Sequence, residues 1–238
     1  MMIRKFAVVA AMMAASVAFA AETEQDVPEQ GEGAVGWTAA QVGIFSPIAY
    51  PWGGDWDVYG ANVDLLFAES VRLQGVGLSL GATRTRDTLK GLEGSLFLNW
   101  NDGDVYGARV AFFGFNYAGG DVYGLDWGFF GMRKNMWGID WNFLGSHQNT
   151  FHGIQFGGIC NIAYQELRGL DLTFGLNFSC DMKGAQVGGV NFAHSFKGCQ
   201  IGFFNIAEEC PNGIQLGLVN IIMDNTVKVL PLVNWYFE

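Results

Sequence analysis

The chain has 238 residues, half of them hydrophobic, with 34 glycines, 5 prolines and 20 phenylalanines, and a net charge of −10. The acidic balance argues against a nucleic-acid partner, because phosphate contacts need an excess of Lys and Arg. Abundant glycine and aromatics with little proline suit short strands and tight turns better than helices.

The first element is a targeting segment. Arg4 and Lys5 precede an apolar run from Phe6 to Val17, and Ala18-Phe19-Ala20 supplies the small residues a signal peptidase accepts. Residues 1–20 are therefore read as a secretory signal peptide and set aside. Arg4 and Lys5 leave with it and no acidic residue does, which takes the net charge from −10 to −12. Residues 21–33, "AETEQDVPEQGEG", are acidic and polar without apolar period, a disordered leader. Residues 34–238 then form a single repeat-built β domain, since no later linker divides them.

A strand is expected near Val35–Phe45, followed by a repeat. Units open on Gly60, Gly75, Gly91, Gly107, Gly124, Gly138, Gly153, Gly169, Gly184, Gly198 and Gly213, at spacings of 14 to 17 residues. Within a unit, residues alternate. In "GLDLTFGLNFS", Leu170, Leu172, Phe174, Leu176 and Phe178 fall on one side, and Asp171, Thr173, Gly175, Asn177 and Ser179 on the other. Period two means strand. The third position of the unit is polar almost throughout: Asn62, Glu93, Arg109, Asp126, Asp140, Gln155, Asp171, Gln186, Gln200 and Gln215, with Gly77 the exception. A last strand falls in "VKVLPLVNWYF".

Two architectures bury the large apolar face. An up-and-down antiparallel β-barrel of about 12–14 strands would turn it to lipid, with the third-position polar groups facing the lumen. Trp100, Tyr106, Tyr123, Trp137 and Trp235 would supply interfacial girdles. Inward Phe113, Phe115 and Phe130 would narrow or fill the lumen. The alternative is a β-solenoid, one coil per unit, which stacks equivalent positions about 4.8 Å apart. That would place Asp126 above Asp140, an unfavourable like-charge contact if buried. On this ground, and on the variable unit length, the barrel is the expectation.

Three units, "GAQVGGVNFA", "GCQIGFFNIA" and "GIQLGLVNII", followed by "LPLVNWYF", resemble bacterial surface-repeat proteins built from tandem Gly-x-Gln-x-Gly-x-x-Asn units. The match is tight from Gly153 onward and looser, but in register, back to Gly60. The resemblance implies export and a cell-envelope location, at the outer membrane or surface of a Gram-negative-type bacterium, with no known activity. A second resemblance is to curli-type repeats containing Gln-x-Gly-x-x-Asn-x-Ala, carried by Gln186, Gly188, Asn191 and Ala193 and again by Gln200, Gly202, Asn205 and Ala207. This chain lacks their second Gln strand. The ending "NWYFE" resembles the aromatic terminal strand of outer-membrane barrels, apart from Glu238.

No catalytic, metal or cofactor signature emerges. His147 and His152 share one turn region, with His194 elsewhere, and no third metal ligand is specified. "GGDWDVYG" lacks the acidic spacing of an EF-hand and reads as a glycine-aspartate turn. Of Cys160, Cys180, Cys199 and Cys210, the pair Cys180 and Cys210 would share a barrel rim and could form a disulfide. The expected function is therefore non-enzymatic: an envelope protein contacting membrane lipid, structural or a narrow passive channel. In the solenoid alternative it is surface-attached and acts in adhesion or matrix assembly.

Overall fold

A computed structural model describes residues 31–237. The expected signal peptide and most of the acidic leader lie outside the described residues. At the end of the leader, the Gly31 amide donates to the buried Asp57 carboxylate at 2.8 Å. Among the described residues the regular structure is all strand. The described residues form two compact units, divided between Gly120 and Asp121.

In the first unit, β1 (Gly36–Phe45) is followed by the short β2 (Ile48–Tyr50) and then by β3 (Trp56–Ser70), β4 (Leu73–Ser79), β5 (Ala82–Thr85), β6 (Leu89–Ser95), β7 (Leu98–Asn101) and β8 (Val105–Ala111). Every partnership along the repeat is parallel. The glycine-bearing strands pair in the order β3, β4, β6, β8, with Gly60, Gly75, Gly91 and Gly107 in one file. The second half of β3 pairs with β5, β5 with β7, and β7 with the start of β9 (Phe115–Gly157). Each coil thus contributes one strand to each of two parallel sheets, here called A (with the glycines) and B.

The second unit continues the scheme. β10 (Cys160–Thr173) pairs in parallel with β9 on one side and with β11 (Leu176–Ile222) on the other, so that Gly153, Gly169 and Gly184 stack. β12 (Val229–Phe237) lies antiparallel on the last coil, Ile214 opposite Trp235. In the first unit β2 lies antiparallel on β1. Antiparallel pairing is thus confined to strands that close an end.

The antiparallel barrel is therefore corrected to a β-solenoid. Strand period and face polarity are the same in both folds; what differs is the partner of each strand. Here residue i pairs with its equivalent one repeat later, as Asp171 does with Gln186. Polar rows that would have faced a lumen are closed inside the coils, so the passive-channel reading falls with the barrel. The even-strand rule no longer applies. Phe113 and Phe115 also do not share the inward face of Arg109: both are exposed while Arg109 is fully buried. The chain turns a corner at Phe112–Gly114, and two successive side chains point outward there.

The repeated glycine has a steric cause. Gly153 has φ +142°, and a Cβ on it would lie 1.9 Å from the Gly138 carbonyl oxygen of the preceding coil. A side chain there would hold two coils apart, so only glycine permits stacking at sheet spacing.

Candidate functional site

The interior explains why the coils stack without a large apolar core. One inward row, two residues before the glycine, is apolar: Val58, Leu73, Leu89 and Val105 in the first unit, and Val122, Met136, Phe151, Leu167, Met182 and Phe196 in the second. A second inward row mixes polar residues with small apolar ones such as Ala118, Ala163, Ala193 and Ala207, and the remaining inward rows are mainly polar. All of the third-position residues, Glu93, Arg109, Asp126, Asp140, Gln155, Asp171, Gln186, Gln200 and Gln215, are buried. At the exceptional Gly77 the Leu73 side chain occupies the space.

These rows hydrogen-bond along the stack. Gln215 donates to Gln200 at 2.8 Å and Gln200 to Gln186 at 2.9 Å. A second ladder runs Asn177 to Asn191 to Asn205 to Asn220, each step 2.8 Å. Each of these first three asparagines also donates to a main-chain carbonyl one coil on, at Val187, Ile201 and Leu216. A stacked amide is both donor and acceptor, so identical coils satisfy one another.

The charged positions take partners either from the other sheet or from the next coil of their own row. Arg133, on the sheet-B side of its coil, is fully buried between Asp126 at 2.5 Å and Asp140 at 3.0 Å. The like-charge contact that counted against a solenoid is thereby neutralised. In the first unit Glu93 stacks on Arg109 in the next coil and accepts from Thr85 at 3.2 Å. Asp171 is met by amides, Asn161 at 2.6 Å and Gln186 in the next coil, and burial pushes its carboxyl up to about 7. Sealed from solvent, these groups bond coil to coil.

The expected disulfide is corrected. All four cysteines are free thiols, with Cys180 half-buried and Cys210 buried. Stacking explains the separation: Cys180 falls three residues beyond ladder residue Asn177, Cys210 five beyond Asn205. The two are thus two coils apart, about 9 to 10 Å of stacking against the 7 Å limit for bridged Cα atoms. The histidines also separate. His147 packs edge-on against Tyr164, His152 against Trp137, and His194 pairs with Glu208 at 2.8 Å.

With the polar rows inside, the alternating apolar row faces out. Residues one, three and five after each glycine point outward on sheet A, and the sixth completes the corner before sheet B. In the second unit these segments read LDWGFF, IDWNFL, IQFGGI, LDLTFG, AQVGGV, CQIGFF and IQLGLV, whose only charged members are the buried Asp126, Asp140 and Asp171. The corner where A meets B is an apolar ridge. Phe143, Phe174 and Phe203 are 63%, 81% and 63% exposed there, and Phe113 in the first unit 65%. Aromatic rings stack along the coils, Tyr123 on Trp137 at 4.8 Å and Phe178 on Phe192 at 5.2 Å.

The opposite corner, where B returns to A, is charged. In the second unit Glu166 accepts from Arg168 at 2.7 Å and Lys183 at 2.9 Å, hydrogen bonds that lower its carboxyl to about 2. In the first, Arg72 pairs with Asp87 and Arg84 with Asp102. Sheet A of the first unit carries small outward residues such as Val76, Gly94 and Ala108, and forms an apolar groove of about 980 Å3.

The sequence missed one coil. β1 pairs in parallel with β3 and places buried Gln41 beside Asn62, as a third-position residue one coil earlier. The signal was present: Gln41-Val42-Gly43 matches Gln186-Val187-Gly188, without the opening glycine.

The fold and surface together define a class: a two-sheet β-solenoid with a polar, self-bonded interior, an apolar ridge and a charged opposite corner. Comparison with protein-family models, curated proteins and solved structures returned no match.

Proposed function

We propose that this is an exported, non-enzymatic scaffold of the bacterial cell envelope, a surface-attached β-solenoid acting in adhesion or matrix assembly. One observation carries the reading: in each unit, exposed large apolar side chains recur along the corner between the sheets, while the polar row of the repeat is buried. An apolar patch of this kind marks a surface made for contact. The export pattern of residues 1–20 and the resemblance to surface-repeat proteins support the location.

Growth by coils adding end to end, as curli-type stacking would require, is disfavoured at both ends. β2, flanked by Pro47 and Pro51, covers part of β1, and β12 carries Pro231 with Leu232 at φ 67°. Proline and irregular backbone blunt a strand edge. Contact is therefore made through the flank of the solenoid.

Protease treatment of intact cells, with N-terminal sequencing of the recovered protein, tests the reading. The expected result is a mature chain beginning at Ala21 and digestible from outside. A full-length chain retained inside the cell overturns the proposal.

A further inference from the structure

Within this surface-attached reading, we infer that the ridge of the second unit is seated in one leaflet of a phospholipid membrane, with that unit's solenoid axis in the membrane plane. The strands run around the coil, so each row of the repeat lies at a single depth. From the first to the fifth position after the glycine is four residues, about 13 Å at strand rise. Half of a hydrocarbon core is about 15 Å. The charge-free band is thus as deep as one leaflet.

The next row toward the charged corner, directly before each glycine, is different in kind. In the second unit it reads Tyr123, Trp137, His152, Arg168, Lys183, Lys197 and Asn212. Glu166 is the one carboxylate paired with its cations, through His152, Arg168 and Lys183, and Lys197 lies outside that cluster. Amphipathic aromatics and cations stand where lipid phosphates would lie. This is notable in a chain with 23 acidic residues against 13 basic ones. The equivalent row on sheet B contains Tyr164, His194 and Glu208, the last paired with His194. Main-chain groups also suit a lipid setting, because parallel pairing satisfies the strands coil to coil and the polar side chains are sealed within. The first unit repeats the pattern on its own, with Leu65, Leu66, Phe97, Phe112 and Phe113 at the corner and Tyr59, Lys90 and Tyr106 in the row before the glycines.

The test uses the purified chain of residues 21–238 with vesicles of phosphatidylcholine containing phosphatidylglycerol. The expected result is co-sedimentation, with tryptophan emission quenched by lipids brominated in the acyl chain. The triple substitution Phe143→Ser, Phe174→Ser and Phe203→Ser removes exposed rings and should leave the β circular dichroism intact. It should weaken vesicle binding by about tenfold per ring. Lys183→Gln with Lys197→Gln should weaken it by about fivefold per charge on these vesicles, and much less on phosphatidylcholine alone. A protein that stays in the supernatant overturns the inference, as does a dimer in light scattering that the phenylalanine substitutions dissociate, since a second copy then covers the ridge. Either result leaves export and surface exposure standing, whereas failure of the protease experiment removes both readings.

Discussion

In the second unit the third-position row from Gln186 to Gln215 is uniform, one amide donating to the next. In the first unit the same row runs Asn62, Gly77, Glu93 and Arg109, and each residue needs a different solution. The strands follow suit: parallel strands of the first unit are as short as the four residues of β5, whereas β11 runs unbroken for 47 residues. The surfaces differ too, small residues and a groove in one, stacked rings in the other. Identical neighbours are the cheapest way to fill a polar interior, because a stacked amide finds its complement in its own copy. A carboxylate cannot do this: Asp126 and Asp140 share a cation from the opposite sheet, and Glu93 takes one from the next coil of its own row.

The strongest way to break that comparison is to remove the recruited cation. Arg133→Met leaves Asp126 and Asp140 buried and unpaired, and chemical denaturation should show a loss of about 3–5 kcal/mol for the second unit. Without Arg133 both carboxyls must be protonated to stay buried, so the deficit should grow as pH rises. Adding Asp126→Asn and Asp140→Asn to Arg133→Met should restore most of the loss; no recovery would mean that packing, not charge, explains Arg133.

Breaking the uniform ladder has a smaller effect. Asn205→Ala removes the acceptor for Asn191 and the donor to Asn220 and Leu216 in one step. Orphaned buried partners cost about 1–3 kcal/mol, which hydrogen exchange should register as lost protection concentrated in the coils on either side.

The smallest expected effect is a gain. Asp171 occupies an amide row, and its folded pKa of about 7 exceeds the unfolded value near 4. The folded state therefore holds a proton that the unfolded chain releases, so this residue's contribution to stability falls as pH rises from about 4 to about 7. Asp171→Asn should raise the thermal midpoint at pH 8 and leave it unchanged at pH 4. An equal gain at both pH values would show that ionisation is not the cause.

Much of this architecture was legible in the residues. The opening glycine, the alternation and the polar third position are all where the repeat placed them, because each answers to local geometry along one strand. Polar inside and apolar outside was also legible, although attached to the wrong closed shape. The missing coil at Gln41 was hidden because the glycine was used as its only marker. Phe113 and Phe115 were assigned inward because simple alternation cannot register a corner. The Cys180 and Cys210 pairing failed for the same reason as the barrel, since it depended on which strands share an end.

By itself the sequence determined the length of the repeat, the strand period and the separation of polar from apolar faces, since these follow from steric demands of neighbouring residues. Only the tertiary structure decided that each strand pairs in parallel with its own next copy. The physical reason is that alternation is the same for either partner, and the charge objection to stacking is removed by Arg133, a residue outside the row that it neutralises.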